Sequence, residues 1–162
     1  MANWVSNEIT ITWKKEKLEE LMKPVFESND VGLFEVIVPI EDQYSQTWAV
    51  RNWGTKWDCT REDMTAAIEG DCLTIKTATA SAPPVAAMDA LLQMMAEDGG
   101  EYELMYFDSA SQTVGIVVNG ADEDFDLSLY GSTEEMKDNV PEVLVDAFDL
   151  VNVISFEAGY GR

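Results

Sequence analysis

The chain has no histidine, two cysteines in 162 residues, and 10 basic residues against 31 acidic ones. Each shortage closes off a class of function. Without histidine, general acid–base work falls to carboxylates, Lys, Tyr or Cys. Cys59 and Cys72 alone cannot complete an ordinary four-ligand zinc or iron–sulfur site within one chain. No metal, no cofactor and no catalytic residue is expected, and the chain reads as a non-enzyme. No apolar run approaches the roughly 20 residues that cross a bilayer. Met1-Ala2-Asn3-Trp4 lacks the basic and apolar regions of a signal peptide. These features fit a soluble protein of a reducing compartment.

The scarcity of bases leaves a net charge of −21. Such a field repels nucleic-acid phosphates and anionic membrane surfaces and draws in basic proteins. Direct nucleic-acid binding and membrane binding are therefore not expected. The charge is also uneven: residues 1–76 hold 14 acids and 8 bases, whereas residues 77–162 hold 17 acids and only Lys137 and Arg162.

What is present is a folding composition. Hydrophobic residues make up 46% of the chain, enough for a core, and the length suits one domain spanning residues 1–162. Alternation at Ile9, Ile11 and Trp13 predicts a strand over residues 3–13. Leu18, Leu21, Met22, Val25 and Phe26 at helical spacing predict an amphipathic helix over 14–28, with Pro24 ending or kinking it near Lys23. Lys14, Lys15 and Lys17 in its first turn oppose the helix dipole. Residues 33–40 read as a mostly apolar strand.

Residues 62–68 and 72–80 flank Glu69-Gly70-Asp71, a hairpin signal. Pro83-Pro84 opens a second helix that stops at Gly99-Gly100. Strands are predicted over 102–107 and 113–118. A third short strand is predicted over 125–130, after the Asn119-Gly120 turn. Ser132 and Glu135 suit a capping box. Val140, Val143, Leu144, Ala147 and Phe148 suit one C-terminal helix or two pieces, with Pro141 starting the second. Residues 151–156 suit a last strand. Helices interspersed with hairpins indicate an α+β domain. Its expected core is a ferredoxin-like split β-α-β with a mainly antiparallel sheet, helices on one face and an added C-terminal helix.

The most unusual stretch is residues 48–58, where three of the five tryptophans fall within ten residues. Asn52-Trp53-Gly54-Thr55-Lys56-Trp57-Asp58, a strand hairpin, and then Pro83-Pro84 opening a helix together resemble the YubB ferredoxin-like domain family. These are proteins of bacteriophages and conjugative plasmids. The hairpin over 102–118, containing Gly115, resembles that family's second half. The family's tryptophan before the double proline is replaced here by Ala80-Ser81-Ala82. The resemblance implies this fold, a phage or plasmid origin and a bacterial cytoplasmic setting. It carries no settled activity.

Two readings of the motif loop stand side by side. Trp53 and Trp57, four apart, could pack under the sheet as a plug between the first β-α-β unit and the following hairpin, with Gly54 allowing close backbone approach. Alternatively Trp48, Arg51, Asn52, Trp53, Gly54, Thr55, Lys56, Trp57 and Asp58 form a binding loop, since Trp and Arg match the composition of protein hot spots. A mixed role and a Lys56–Asp58 pair are equally ordinary.

The acidic run Asp122-Glu123-Asp124-Phe125-Asp126 lacks the spacing and terminal Glu of a calcium loop. Glu134, Glu135, Asp138, Glu142, Asp146 and Asp149 extend it, and on one helix the last five would line one face. The expected partner is a basic, nucleic-acid-binding bacterial protein. The acidic surface would mimic nucleic acid, and the chain would act as an anti-defence or host-protein inhibitor. The alternative is a small-ligand or nucleotide-binding domain using residues 48–58. An enzyme is a third reading, and charge serving solubility alone stands beside the first.

Overall fold

A computed structural model describes residues 3–154. Its chain runs β1 (Trp4–Thr12), α1 (Lys15–Phe26), α2 (Leu33–Ile37), α3 (Gln46–Asn52), β2 (Met64–Glu69), β3 (Cys72–Ala80) and α4 (Val85–Met95). There follow β4 (Glu101–Asp108), β5 (Thr113–Val118), β6 (Ala121–Asp126), α5 (Thr133–Asn139), α6 (Glu142–Ala147) and α7 (Leu150–Val153). The six strands make one open sheet in the order β2-β3-β1-β4-β5-β6, and every neighbouring pair is antiparallel. The fold is α+β.

The sheet's two faces are covered differently. On one face Val5, Ile9 and Ile11 of β1, Leu73 and Ile75 of β3, and Tyr102, Leu104 and Tyr106 of β4 are buried. They pack with Leu18, Met22, Phe34, Trp53, Met88 and Leu91 from α1 to α4 and the motif loop. On the opposite face Met105 and Phe107 of β4 and Val114 of β5 form a second core with Leu127, Met136, Leu144 and Leu150. This corrects the expectation of helices on one face only. The run Leu104-Met105-Tyr106-Phe107 buries residues of both parities, as a strand sandwiched on both sides must. The three short C-terminal helices cover the β4–β5 end; Ser6, Thr65, Ala67, Thr74, Lys76 and Ala78, on the same face beyond it, are exposed.

Several expected elements differ. Residues 33–40 hold α2 rather than a strand, because the Asp58 carboxylate accepts hydrogen bonds from Phe34 N (2.7 Å) and Glu35 N (2.9 Å) and starts a helical turn there. The third hairpin strand is β6, ending at Asp126 instead of spanning 125–130: Asn119-Gly120 is a two-residue turn, so pairing resumes at once with Ala121 opposite Val118. Residues 151–153 belong to α7, not a strand, and residues 155 and 156 lie outside the described ones. Pro24 stands inside α1, which continues to Phe26. Of the lysines at its start, Lys14 has a partner: Asp98 receives Lys14 Nζ (3.1 Å) and Trp13 Nε1 (3.0 Å). Those bonds hold the Asp98 carboxyl below the usual aspartate range, Trp13 contributing most.

Candidate interaction surface

The motif loop is mostly internal. Ser45 caps α3 by accepting from Trp48 N (3.0 Å). The helix carries Trp48 to the edge of the core and ends at Trp53, which is 1% exposed. Trp48 meets Trp53 edge-on at 5.2 Å, Phe34 and Tyr44 pack beside it, and Trp53 Nε1 donates to the Val38 carbonyl (3.0 Å). Gly54 has a φ of +89° and lies so close to the start of α4 that a Cβ would stand 3.1 Å from the Val85 and Ala86 nitrogens. Thr55 is buried and donates to the Ala80 carbonyl (2.9 Å), while Trp53 O accepts from Ala87 N (3.1 Å). The loop therefore fastens α3 to α4 and to the end of β3.

Asp58 is equally occupied. Besides Phe34 and Glu35 it accepts from Cys59 N (2.8 Å). Burial, opposed by those three bonds, raises its carboxyl above the usual aspartate range. It forms no pair with Lys56, and Lys14–Asp98 is the only ion pair among the described residues. Of the motif, Arg51 and Trp57 face solvent and Asn52 and Lys56 are half-buried. Asn52 Nδ2 returns to the Trp48 carbonyl (2.9 Å). Trp57, 39% exposed, lies against Trp4, 53% exposed, with ring centroids 5.6 Å apart. The pairing with Trp4 is too distant in sequence to read.

The acidic stretch on β6 is not one continuous patch. Register places Asp122, Asp124 and Asp126 opposite Val117, Gly115 and Thr113, on the α1–α4 side, and Glu123 opposite Ile116 on the other. Tyr106 explains part of this arrangement. Its ring crosses β5 over Gly115, where any Cβ would overlap it, and its hydroxyl donates to Asp122 (3.1 Å). Tyr102 on the same face donates to Asp89 of α4 (2.7 Å). Burial and these carboxylates push both phenols up. The tyrosine–carboxylate pairs were missed from sequence; their signal was two tyrosines of one parity on β4.

All ten carboxylates expected on the acidic surface are exposed: Asp122, Glu123, Asp124, Asp126, Glu134, Glu135, Asp138, Glu142, Asp146 and Asp149. They do not form one helical stripe, because Val140-Pro141 separates α5 from α6 and Asp149 precedes α7. Four are engaged locally. Asp122 has Tyr106, Asp126 accepts from Ser128 N (3.0 Å), Glu135 from Gly131 N (2.6 Å) and Asp149 from Asn152 Nδ2 (2.8 Å). Ser132 Oγ caps α5 by accepting from Glu135 N (3.1 Å); the Glu135 carboxylate reaches Gly131 instead of closing the box. Glu123, Asp124, Glu134, Asp138, Glu142 and Asp146 have neither a hydrogen bond nor an ion pair from the described residues.

Among the described residues no three acidic or cysteine side chains converge as metal ligands. Both thiols are free. Burial, aided by the Asp58 charge, pushes Cys59 up to about 12, which removes the thiolate a nucleophile needs. A cleft of about 340 Å³ between α1 and α4 is lined by Trp13, Lys17, Glu20, Met94 and Asp98, and the Trp13–Asp98 hydrogen bond lies in its wall. No helix among the described residues is long and apolar enough to cross a membrane.

No protein-family model, curated protein or solved structure matches the chain.

Proposed function

We propose that the chain is a non-enzymatic acidic interaction protein that occupies a basic, nucleic-acid-binding surface on a bacterial protein. The observation that carries this reading is the state of six carboxylates. Glu123, Asp124, Glu134, Asp138, Glu142 and Asp146 are exposed and unpaired, and Lys137, the only base in residues 101–154, neutralises none of them within the described residues. A folded domain that needed charge for solubility alone gains nothing from holding it at one end of the sheet. Carboxylates on rigid elements can stand in for backbone phosphates, so that Lys and Arg side chains that would pair with nucleic acid pair with them. The buried motif loop serves as scaffold, which disfavours a ligand pocket built from it.

A phage or plasmid origin, through the YubB-like motif, belongs to the same reading. So does a split β-α-β core. It is supported by the order β2-β3-β1-β4 with α1 and α4 joining strands that are not neighbours, β5 and β6 extending the sheet beyond it.

The test is a tagged pull-down from nuclease-treated bacterial lysate at low and moderate salt. The wild type is compared with a variant carrying Glu123→Gln, Asp124→Asn, Glu134→Gln, Asp138→Asn, Glu142→Gln and Asp146→Asn. The expected result is one stoichiometric nucleic-acid-binding protein that survives moderate salt and is lost with the variant. Undiminished capture by the variant overturns the proposal.

A further inference from the structure

Among the described residues the sheet has two free edges of opposite character. β6 presents Asp122, Glu123, Asp124 and Asp126 within six residues, a density of like charge that discourages pairing with a further strand. β2 presents Met64-Thr65-Ala66-Ala67-Ile68 with no charge until Glu69. Its outer backbone groups are identifiable. Ser81 N donates to Asn3 O, so the odd-numbered residues of β3 turn their hydrogen-bonding groups to β1 and the even-numbered ones to β2. Register then pairs Lys76 with Thr65, Thr74 with Ala67 and Cys72 with Glu69. In an antiparallel ladder the intervening residues face the other way. The N–H and C=O groups of Met64, Ala66 and Ile68 therefore point off the sheet, where no group of the described residues meets them.

Beside that edge lies a groove of about 310 Å³ between α1 and β2, lined by Glu19, Lys23, Phe26, Glu27 and Ile68. Phe26 is 37% exposed and Ile68 half-buried on the same face of the sheet. An added strand would place every second side chain over this groove.

We propose that β2 is the self-association edge of the protein, pairing antiparallel with β2 of a second copy about a two-fold axis through Ala66. In that register Ala66 faces Ala66, Met64 faces Ile68 and Thr65 faces Ala67, each outward-facing pair exchanging both its hydrogen bonds. Met64 of the second copy lies beside Ile68 in the groove under Phe26, and the relation is reciprocal, as an isologous contact requires. The apolar register is self-complementary, and charge distribution favours this edge over β6 as the place where two copies meet. The strand order sets β2 about 24 Å across the sheet from β6, so joining at β2 holds the two acidic ends as far apart as the sheet allows. Residues 1–76, which supply α1 and β2, hold 14 acids and eight of the ten bases, so this half carries only −6 of the −21 and repels its own copy least. Since two chains of charge −21 still repel, self-association tightens with added salt. Binding of a basic partner at the acidic end weakens with it, so the two proposals fail separately.

The experiment is sedimentation velocity over a dilution series at low and moderate salt. The wild type is expected to reach twice the 18.0 kDa of one chain, more readily at moderate salt. Ala66→Pro removes only an outward N–H and leaves the β2–β3 ladder intact, as proline at an edge can. It is expected to weaken association at least tenfold. Should that variant unfold, oxidation of Ala66→Cys supplies the readout: it cross-links two copies, and Gln93→Cys at an exposed position of α4 does not. A wild type that stays monomeric at the highest concentration, or cross-linking equal at both positions, overturns the proposal.

Discussion

The two ends of the sheet treat their unusual residues in opposite ways. At the β2-β3-β1 end, the residues that stand out in sequence are absorbed. Trp53 is buried among three other aromatics, Asp58 accepts three backbone N–H groups, and Lys14 meets Asp98. At the β5-β6 end and on α5 and α6, six carboxylates are left to water. A cluster of large aromatics has to find burial because exposing it is unfavourable by several kcal/mol. A charge has no such compulsion and is most stable solvated. Conspicuous apolar composition therefore reports on the core, and conspicuous charge reports on what the surface meets.

The strongest way to break that contrast is within the motif itself. Trp53→Ala should destabilise the fold by about 3–5 kcal/mol, the range for removing a large buried aromatic. Trp57→Ala, whose ring is partly exposed against Trp4, should cost about 1 kcal/mol. Urea unfolding of both variants measures the difference. Equal effects would mean that the loop is not the internal fastening described above.

A close approach joins the two ends. Gly115→Ala puts a methyl under the Tyr106 ring, which has to shift and lose Asp122. Overpacking of this kind costs about 1–3 kcal/mol. In a Tyr106→Ala background the same substitution should be nearly neutral, and the double-mutant cycle reads the coupling directly. A cost unchanged by removing Tyr106 would assign the glycine to backbone geometry instead.

Local chemistry made much of the architecture legible. β3 and β5 occupy the residues that alternation and flanking turns indicate, and Pro83-Pro84 does precede α4. What escaped depended on partners far along the chain. An apolar run of four to eight residues fits strand or buried helix equally, and residues 33–37 were decided by a carboxylate 24 positions later. The acidic edge strand β6 has almost no apolar residue to show its period, so its bounds were read too late. The second core was visible in principle, in four consecutive apolar residues at 104–107 that a one-sided sheet would not need. For the acidic surface the residue types showed exposure and Pro141 marked the start of a second helical piece, while the split of β6 between two faces needed the register and the break at Asp149 needed the folded chain.

Asp58 supplies a test by pH. Its carboxyl titrates above the ordinary aspartate value, so the folded state holds a proton more firmly than the unfolded chain does. That contribution is fully present below the unfolded pKa of about 3.9 and is lost as pH rises through the folded value. Asp58→Asn removes it and, at any pH, replaces the Glu35 acceptor with a donor, costing about 1–2 kcal/mol at neutrality. The deficit of the variant should therefore grow as pH falls from 7 towards 4, followed by urea unfolding at each pH. Asp108 has the opposite sign. Burial alone would raise it, but hydrogen bonds from Asn3, Ser111 and Ala110 hold it below the usual range. Its contribution is present above the unfolded pKa and lost as pH falls through the folded one. A deficit of Asp58→Asn that shrinks in acid would place the carboxylate with Asp108 and undo its description as a half-buried cap.

The smallest effects belong to the acidic end, and their smallness is the point. Each of the six unpaired carboxylates makes no contact that folding relies on, so neutralising any one should shift stability by no more than about 0.5 kcal/mol. The sign should be favourable at Glu123, Asp124, Asp138 and Asp146, because every charge removed from a chain at −21 relieves self-repulsion, and near zero at Glu134 and Glu142, which stand in the first turns of α5 and α6 where the helix dipole favours an acid. The six-fold variant should accordingly unfold at an equal or higher temperature than the wild type at low salt. The two curves should converge as salt screens the repulsion over a Debye length of about 10 Å at 0.1 M. A six-fold variant that loses stability would show that these side chains serve the fold, leaving no reason to expect a partner for them. One that keeps its stability and loses its partner separates folding from binding at this surface. At the motif end no substitution of Trp53 or Asp58 could do so, since the side chains that would bind are the ones that hold the chain together.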